Sequence, residues 1–267
     1  MTDIVLVSDG TLTRDDASRL SDAIPGASFL SSEELSSQIE AKIKDYPFCR
    51  KYRQWCPWAK KIIDIPLHAD SDFIFVDGDI LFMRDFELIS SGDIEQFGII
   101  AMKSYANIYS FGFKNALLRS PVFPIVAKVN SGFMFVRRGA YSLEVVERFL
   151  HDAEGHARPA LWEQTAWGVV AGCGKSAYFD SRQVTFPQVA MSPQKQLKWL
   201  PVALHFVGGT RHLIPEVLSL IKELEEDPPA ENLRVEGALQ LNSGRLAMDI
   251  WRHRALIRRC RKVGILQ

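Results

Sequence analysis

The sequence predicts an α/β fold built on a mostly parallel central sheet with helices on both faces. Two observations lead there. Short, wholly apolar runs recur along the chain and break off into small or acidic residues, the pattern of a strand buried on both faces. Between these runs lie segments with apolar residues at helical spacing, and strands that alternate with helices build parallel sheets through crossover connections.

Ile4-Val5-Leu6-Val7 is the first strand, ended by Ser8-Asp9-Gly10. Thr13 is placed to cap a helix running to about residue 23, with Asp15 and Asp16 in the first turn, where the helix dipole favours them. Ser31-Ser32-Glu33-Glu34 opens a second helix, to about residue 44. Pro57 suits the first turn of a third, which carries Lys60 and Lys61. Phe73-Ile74-Phe75-Val76 is a strand that runs straight into Asp77-Gly78-Asp79. Residues 97–102 form a third strand, and residues 129–136 a fourth, interrupted by Asn130-Ser131-Gly132. Residues 141–150 and 161–170 are helical by apolar spacing. Residues 202–206 are a late short strand that leads into Val207-Gly208-Gly209.

One domain spans residues 1–222. The acidic stretch 223–231, with Pro228-Pro229, reads as a linker, and residues 234–262 as a basic helical extension. That extension carries Arg252, Arg254, Arg258, Arg259, Arg261 and Lys262, interleaved with Trp251, Leu256 and Ile257.

Composition narrows the classes of function. Hydrophobic residues make up 47% and charged residues 24%, so the bulk of the chain is a globular domain and not a disordered one. Lys+Arg and Asp+Glu both number 32, which argues against a whole-surface electrostatic grip on nucleic acid. The four cysteines, Cys49, Cys56, Cys173 and Cys260, form no Cys-x-x-Cys pair, so a zinc ribbon or a thioredoxin-like motif has no basis. The N-terminus has no basic region before its apolar run, and no apolar stretch approaches the ~18–20 residues of a membrane span. The expectation is a reduced, cytoplasmic protein, peripheral at a membrane at most.

Asp77-Gly78-Asp79 is the strongest chemical feature. Two carboxylates two residues apart point to opposite faces of a strand, but in the turn that leaves a strand they converge. Convergent hard oxygens suit Mg²⁺ or Mn²⁺ and leave coordination positions for a diphosphate. The ends of strands in open α/β sheets are where ligands bind. The plain alternative is a solvated loop that happens to hold two acids. Two phosphatase-like patterns also touch the chain: Asp-x-Asp after an apolar strand, and Val7-Ser8-Asp9-Gly10-Thr11-Leu12, where Val7 stands at the nucleophile position and cannot attack phosphorus.

Further motifs follow in order. Lys60 lies upstream of Asp77, Arg84-Asp85-Phe86 follows it, and then come Asn130-Ser131-Gly132, Glu163-Gln164 and His205-Phe206-Val207-Gly208 with Arg211. This set resembles the retaining glycosyltransferases of the A-type fold, a Rossmann-like nucleotide-diphospho-sugar transferase fold, in the glycogenin and lipopolysaccharide galactosyltransferase family. The resemblance covers about residues 3–211. It departs from the family where Glu163 replaces Asp, Arg211 replaces Lys, His212-Leu213 stands for Pro-Trp, and the loop after the first strand lacks an aromatic residue.

The resemblance implies a metal-dependent transfer of a sugar from a nucleotide-sugar donor, a UDP-sugar, to a hydroxyl acceptor in surface-glycan biosynthesis. Asp77, Asp79 and His205 would bind Mn²⁺ or Mg²⁺, with the imidazole favouring Mn²⁺. Ser8, Asp77 and Gly78 would contact the donor, Asp9 its nucleoside, Lys60 its diphosphate or sugar, and Gly208 and Arg211 its diphosphate. Asn130 and Glu163 would bind the sugar hydroxyls. Gln164 would lie at the anomeric carbon, where an amide is too weak a nucleophile for covalent catalysis. The aromatic residues Tyr46, Phe48, Tyr52, Trp55 and Trp58 are either an acceptor wall or packed core, and residues 111–123 are a cover for the donor. The basic extension suits a lipid-linked acceptor at a membrane surface. The rival functions are a metal-dependent phosphatase or nucleotidyltransferase, and a non-catalytic nucleotide-sugar binding protein.

Overall fold

The structure is a computed structural model that describes residues 3–8, 10–87, 94–107, 109–110, 124–154, 161–192, 194, 196–223 and 229–241. In the C-terminal region it describes residues 245, 246, 248, 251 and 252. Expectations for Asp9, for residues 111–123 and for the basic residues beyond 252 lie outside the described residues. The chain divides into two compact units, Met1–Asp70 with Leu143–Glu154, and Ser71–Ser142 with Gly155–Gln267.

The first unit opens with β1 (Val5–Val7) and β2 (Ser28–Leu30), paired in parallel around α1 (Arg14–Ala23). Thr13 caps α1 as expected, and Asp16 answers it with its own side chain on the Thr13 backbone N–H, a reciprocal cap. Ser31 and Glu34 do the same for α2 (Ser32–Glu40), which stops four residues short of expectation because residues 41–45 turn. α3 (Pro47–Trp55) was not anticipated, although Phe48, Cys49, Tyr52, Trp55 and Cys56 recur at helical spacing. Its first turn is capped from α6 (Leu143–Ala153): the Glu147 carboxylate accepts the N–H groups of Phe48 and Cys49 at 3.0 and 2.8 Å. Tyr52 and Cys49 are buried by this packing, whereas Trp55 and Trp58 stay about half exposed. Pro57 lies in a turn just before α4 (Ala59–Ile62), which carries Lys60 and Lys61 as expected, and α5 (Asp64–His68) follows directly.

The second unit holds the central sheet, in the order β13-β9-β6-β8-β3. β3 is Phe73–Val76, β4 Ile80–Phe82, β5 Phe86–Glu87, β6 Ile99–Lys103, β7 Ile125–Val126 and β8 Val129–Val136. β9 is Ser176–Phe179, β10 Val184–Thr185, β11 Ala203–His205, β12 Glu231–Asn232, β13 Val235–Gly237 and β14 Gln240–Leu241. The sheet is mixed, which corrects the expectation of a mostly parallel one. β6 and β9 are parallel, but β8 runs antiparallel between β3 and β6, and β13 antiparallel to β9. Continuous apolar runs are typical of parallel strands, but here β8 reaches the same burial between two antiparallel neighbours.

β8 is continuous through Asn130-Ser131-Gly132, where the sequence suggested an interruption. What changes there is its pairing: β6 residue Ala101 faces Met134, and the next, Met102, faces Asn130. This bulge re-aims the side chains of that stretch. On the other edge, β3 pairs in regular register, Val76 with Phe133, and the ladder continues as Asp77 N–H donates to Gly132 O at 2.7 Å.

A second, three-stranded sheet, β10-β11-β4, has β11 antiparallel to β4 with His205 opposite Ile80. β11 separates two cores. Ala203 belongs to one with Phe133, Phe179 and Phe186, and Leu204 and Phe206 belong to the other with Met83 and Val217. α7 (Trp162–Gly172) packs on β7 and β8, and Gly172 is needed where a Cβ would meet the Pro124 carbonyl. α8 (Pro187–Ala190) and α9 (Ile214–Lys222) complete the described helices of known bounds.

Residues 224–228 of the expected linker lie outside the described residues; beyond them the structure departs from a purely helical extension. β12, β13 and β14 add to β5, β9 and β7, so residues on both sides of 223 belong to the second unit. Strands of two or three residues are too short to leave a period in the sequence. Residues 245, 246, 248, 251 and 252 are helical. Among the described residues, no helix is long and apolar enough to cross a membrane.

In the first unit the fully buried Asp64 is gripped by the Arg53 Nε at 2.8 and 3.0 Å. Burial pushes the Asp64 carboxyl above its ordinary value, against the pull of Arg53. Removing the cation leaves a buried carboxylate without its main counter-charge, so Arg53→Ala is expected to cost about 3 kcal/mol in urea unfolding. A cost under about 0.5 kcal/mol would mean that solvent or another cation replaces Arg53.

Candidate metal centre

Asp77 closes β3 and Asp79 sits one turn residue before β4, so the two carboxylates flank a tight reversal rather than alternating along a strand. The turn is fixed at each end: Ile80 N–H donates to Asp77 O at 3.1 Å, and Phe206 N–H donates to Asp79 O at 2.8 Å. The second of these bonds extends the β4–β11 ladder and brings His205, the last residue of β11, against the turn. Its Nε2 lies 3.1 Å from Asp79 Oδ1 and 3.7 Å from Asp77 Oδ2. Ligand atoms of Asp77, Asp79 and His205 all fall within 4.8 Å of one another.

The imidazole is buried, at 3% exposure, against the ring of Phe186, with the centroids 5.8 Å apart and the rings nearly parallel. On another side it lies over Gly132, where a Cβ would collide with the ring. Its Nδ1 is 3.0 Å from Asn130 Oδ1, and the same oxygen accepts the Gly132 N–H at 3.0 Å. Arg211, from the 3-10 turn Gly208–Leu213, donates through Nε and one terminal nitrogen to Asp79 Oδ2 at 3.0 and 2.7 Å. Burial pushes the Asp79 carboxyl up, but hydrogen bonds from His205 and Arg211 outweigh it and hold the group at about 2. Asp79 therefore stays ionised to strongly acid pH.

Two carboxylate oxygens and one imidazole nitrogen converging at a buried-to-exposed boundary are a donor set suited to a divalent cation. The mixed O and N chemistry fits Mn²⁺ as well as Mg²⁺. These residues fit the metal expected from the sequence; the identity of the ion rests on donor chemistry alone.

The structure thus brings together Asp77, Asp79, His205, Arg211 and Asn130. Gly78 is exposed at the tip of the turn, and Gly208 is exposed with φ of +53°, a conformation glycine adopts without strain. Glu163 and Gln164 occupy the first turn of α7, Glu163 buried and Gln164 half-buried, on a helix that packs against β8, the strand carrying Asn130. Ser8 and Lys60 belong to the first unit. Ser8 is buried at the end of β1 with its Oγ accepting Gly10 N–H, and Lys60 Nζ donates to Ser32 Oγ at 2.6 Å. The sequence missed Gly132 and Phe186 as the walls around His205. An Asn and a Gly two apart on a strand was the one available sign of Gly132; nothing marked Phe186.

Compared with models of protein families, with curated proteins and with solved structures, the chain matches none.

The contact between His205 and Gly132 yields a direct test. Gly132→Ala is expected to displace the imidazole and weaken Mn²⁺ binding by about tenfold or more in calorimetry, with the circular dichroism spectrum retained. Wild-type affinity in this variant would show that His205 is not a ligand in the position described.

Proposed function

We propose that the protein is a metal-dependent glycosyltransferase. It moves a sugar from a nucleotide-sugar donor, a UDP-sugar, to a hydroxyl on a glycan or lipid-linked glycan, with retention of configuration. The observation that carries this reading is the convergence of Asp77, Asp79 and His205, distant in the chain, into one donor set. The order of the surrounding motifs supports it.

A divalent cation bound there supplies Lewis-acid stabilisation of a departing nucleoside diphosphate. The chain's own residues do the rest. Asp77 and Asp79 would hold the ion through their carboxylates and His205 through its imidazole. Arg211, 65% exposed at its side chain, exchanges its hold on Asp79 for a phosphate oxygen, a charge-assisted contact well suited to a guanidinium. The backbone N–H groups of Gly208 and Gly209, both exposed, offer further donors to the diphosphate. Gln164, an amide that cannot form a covalent intermediate of useful stability, orients the donor sugar and stabilises an oxocarbenium-like transition state. Glu163 holds the sugar hydroxyls from the same turn. The basic residues 252–262 are suited to anionic lipid next to a lipid-linked acceptor.

Titration of UDP in a calorimeter tests this reading, with Mn²⁺ and then with EDTA, and with GDP as control. Binding of UDP that needs Mn²⁺ is expected, followed by turnover of a UDP-sugar; Asp79→Asn and His205→Ala should each abolish the metal-dependent part. Metal-dependent binding of GDP instead would change the donor class. Release of phosphate from nucleotides or phosphomonoesters, undiminished in His205→Ala, would replace the transferase reading with a phosphatase.

Arg211 makes a separate expectation. Arg211→Ala should weaken UDP binding in Mn²⁺ by about tenfold, the worth of one charged hydrogen bond, while Mn²⁺ alone binds at least as tightly as in the wild type. Equal weakening of both would place Arg211 in a purely structural role.

A further inference from the structure

His205 can serve as a metal ligand only through a nitrogen that carries a lone pair, and a neutral imidazole has one such nitrogen and one N–H. The nitrogen facing Asp77 and Asp79 is Nε2. Whether Nε2 is the free one is decided at the other side of the ring, by what Nδ1 meets.

Nδ1 meets Asn130 Oδ1, at 3.0 Å. An amide side chain can present either its oxygen or its nitrogen, and here the backbone settles which. Gly132 N–H points at the same Asn130 atom from 3.0 Å, and a donor there requires an acceptor. Asn130 therefore presents oxygen to Nδ1, and Nδ1 carries a proton; when a cation takes the place of the Nε2 hydrogen bond to Asp79, the lone pair left to receive it is on Nε2. Asn130 is 7% exposed and His205 3%, so water does not readily substitute for this contact. The bulge in β8 places Asn130 and Gly132 together beneath the ring, the first as acceptor and the second as the space the ring needs.

We propose that Asn130 is a positioning residue of the metal centre: it locks the His205 proton on Nδ1 and presents Nε2 as the ligand atom. This rests on reading Asp77, Asp79 and His205 as a metal centre, and it differs from the contact to sugar hydroxyls that the sequence resemblance implies for Asn130. An amide is the fitting choice. It fixes the tautomer as a carboxylate would, without adding a third negative charge beside Asp77 and Asp79, whose mutual repulsion the site already bears.

The test needs neither nucleotide nor sugar. Mn²⁺ affinity is measured by calorimetry for the wild type, Asn130→Ala and Asn130→Asp. The His205 ring is read by ¹⁵N–¹H long-range correlation in the protein loaded with diamagnetic Zn²⁺, its signals identified by their loss in His205→Gln. The wild type should show a protonated Nδ1 and a ligated Nε2. Asn130→Ala should bind Mn²⁺ about 10–100-fold more weakly. Asn130→Asp, which keeps the acceptor oxygen, should stay within about threefold of the wild type or bind more tightly, because the added charge favours the cation.

Wild-type affinity in a folded Asn130→Ala, or equal weakening in Asn130→Ala and Asn130→Asp, would overturn the positioning role alone. If Asn130→Ala does not fold, the wild-type spectrum decides: ligation through Nδ1 would overturn the role. No Mn²⁺ or Zn²⁺ binding by the wild type would overturn the metal centre and this role with it.

Discussion

His205 lies over a glycine, and the geometry of the candidate metal centre follows from that contact. The imidazole is wedged between Gly132 on β8 and Phe186, and it reaches the Asp77–Asp79 turn through the pairing of β11 with β4. Any side chain at position 132 would fill the space the ring occupies. The bulge in β8, the absence of a Cβ and the late strand β11 are therefore one constraint viewed from three elements. Packing of this kind has little slack, because protein interiors are as dense as organic crystals.

The electrostatics of the centre depend on the same arrangement. Two carboxylates sit within hydrogen-bonding or near-contact distance of one imidazole nitrogen, and their repulsion is offset by Arg211 on the outer oxygen of Asp79 and by His205 on the inner one. Burial opposes the charge on Asp79, yet the two donors win and keep the carboxylate ionised. A site arranged this way is prepared for a cation: the negative charge is in place, and one of the groups now balancing it, Arg211, is exposed enough to move aside. Asn130 adds orientation without charge, which is what a crowded anionic centre tolerates best.

How much of this the sequence disclosed can be followed element by element. The helix starts at Thr13 and Ser31 were legible because capping boxes are local, a side chain and a backbone group three residues apart. The limits of β3 and β8 were legible because apolar residues cluster there, at residues 73–76 and 133–136, next to polar and small residues, although β3 is only partly buried. No local capping side chain marks the start of α3; its cap comes from Glu147, about a hundred residues further along the chain. β12 to β14 were hidden because pairs of two or three residues owe their existence to the strand edges they meet. The direction of β8 was hidden because burial on both faces is the same for parallel and antiparallel neighbours.

At the candidate site the division is sharper. The sequence by itself marked Asp77 and Asp79 as candidate ligands by their position at the end of an apolar run, and His205 only through the resemblance carried by the ordered motifs. Only the tertiary structure decided that they meet, because β11 joins β4 through ladder bonds between residues far apart in the chain. It also decided that Asn130 stands behind His205, through a bulge whose register no single strand can specify. Residue chemistry is local and is written in the chain; the distance and direction between two such residues are set by the backbone pairing that brings their strands together.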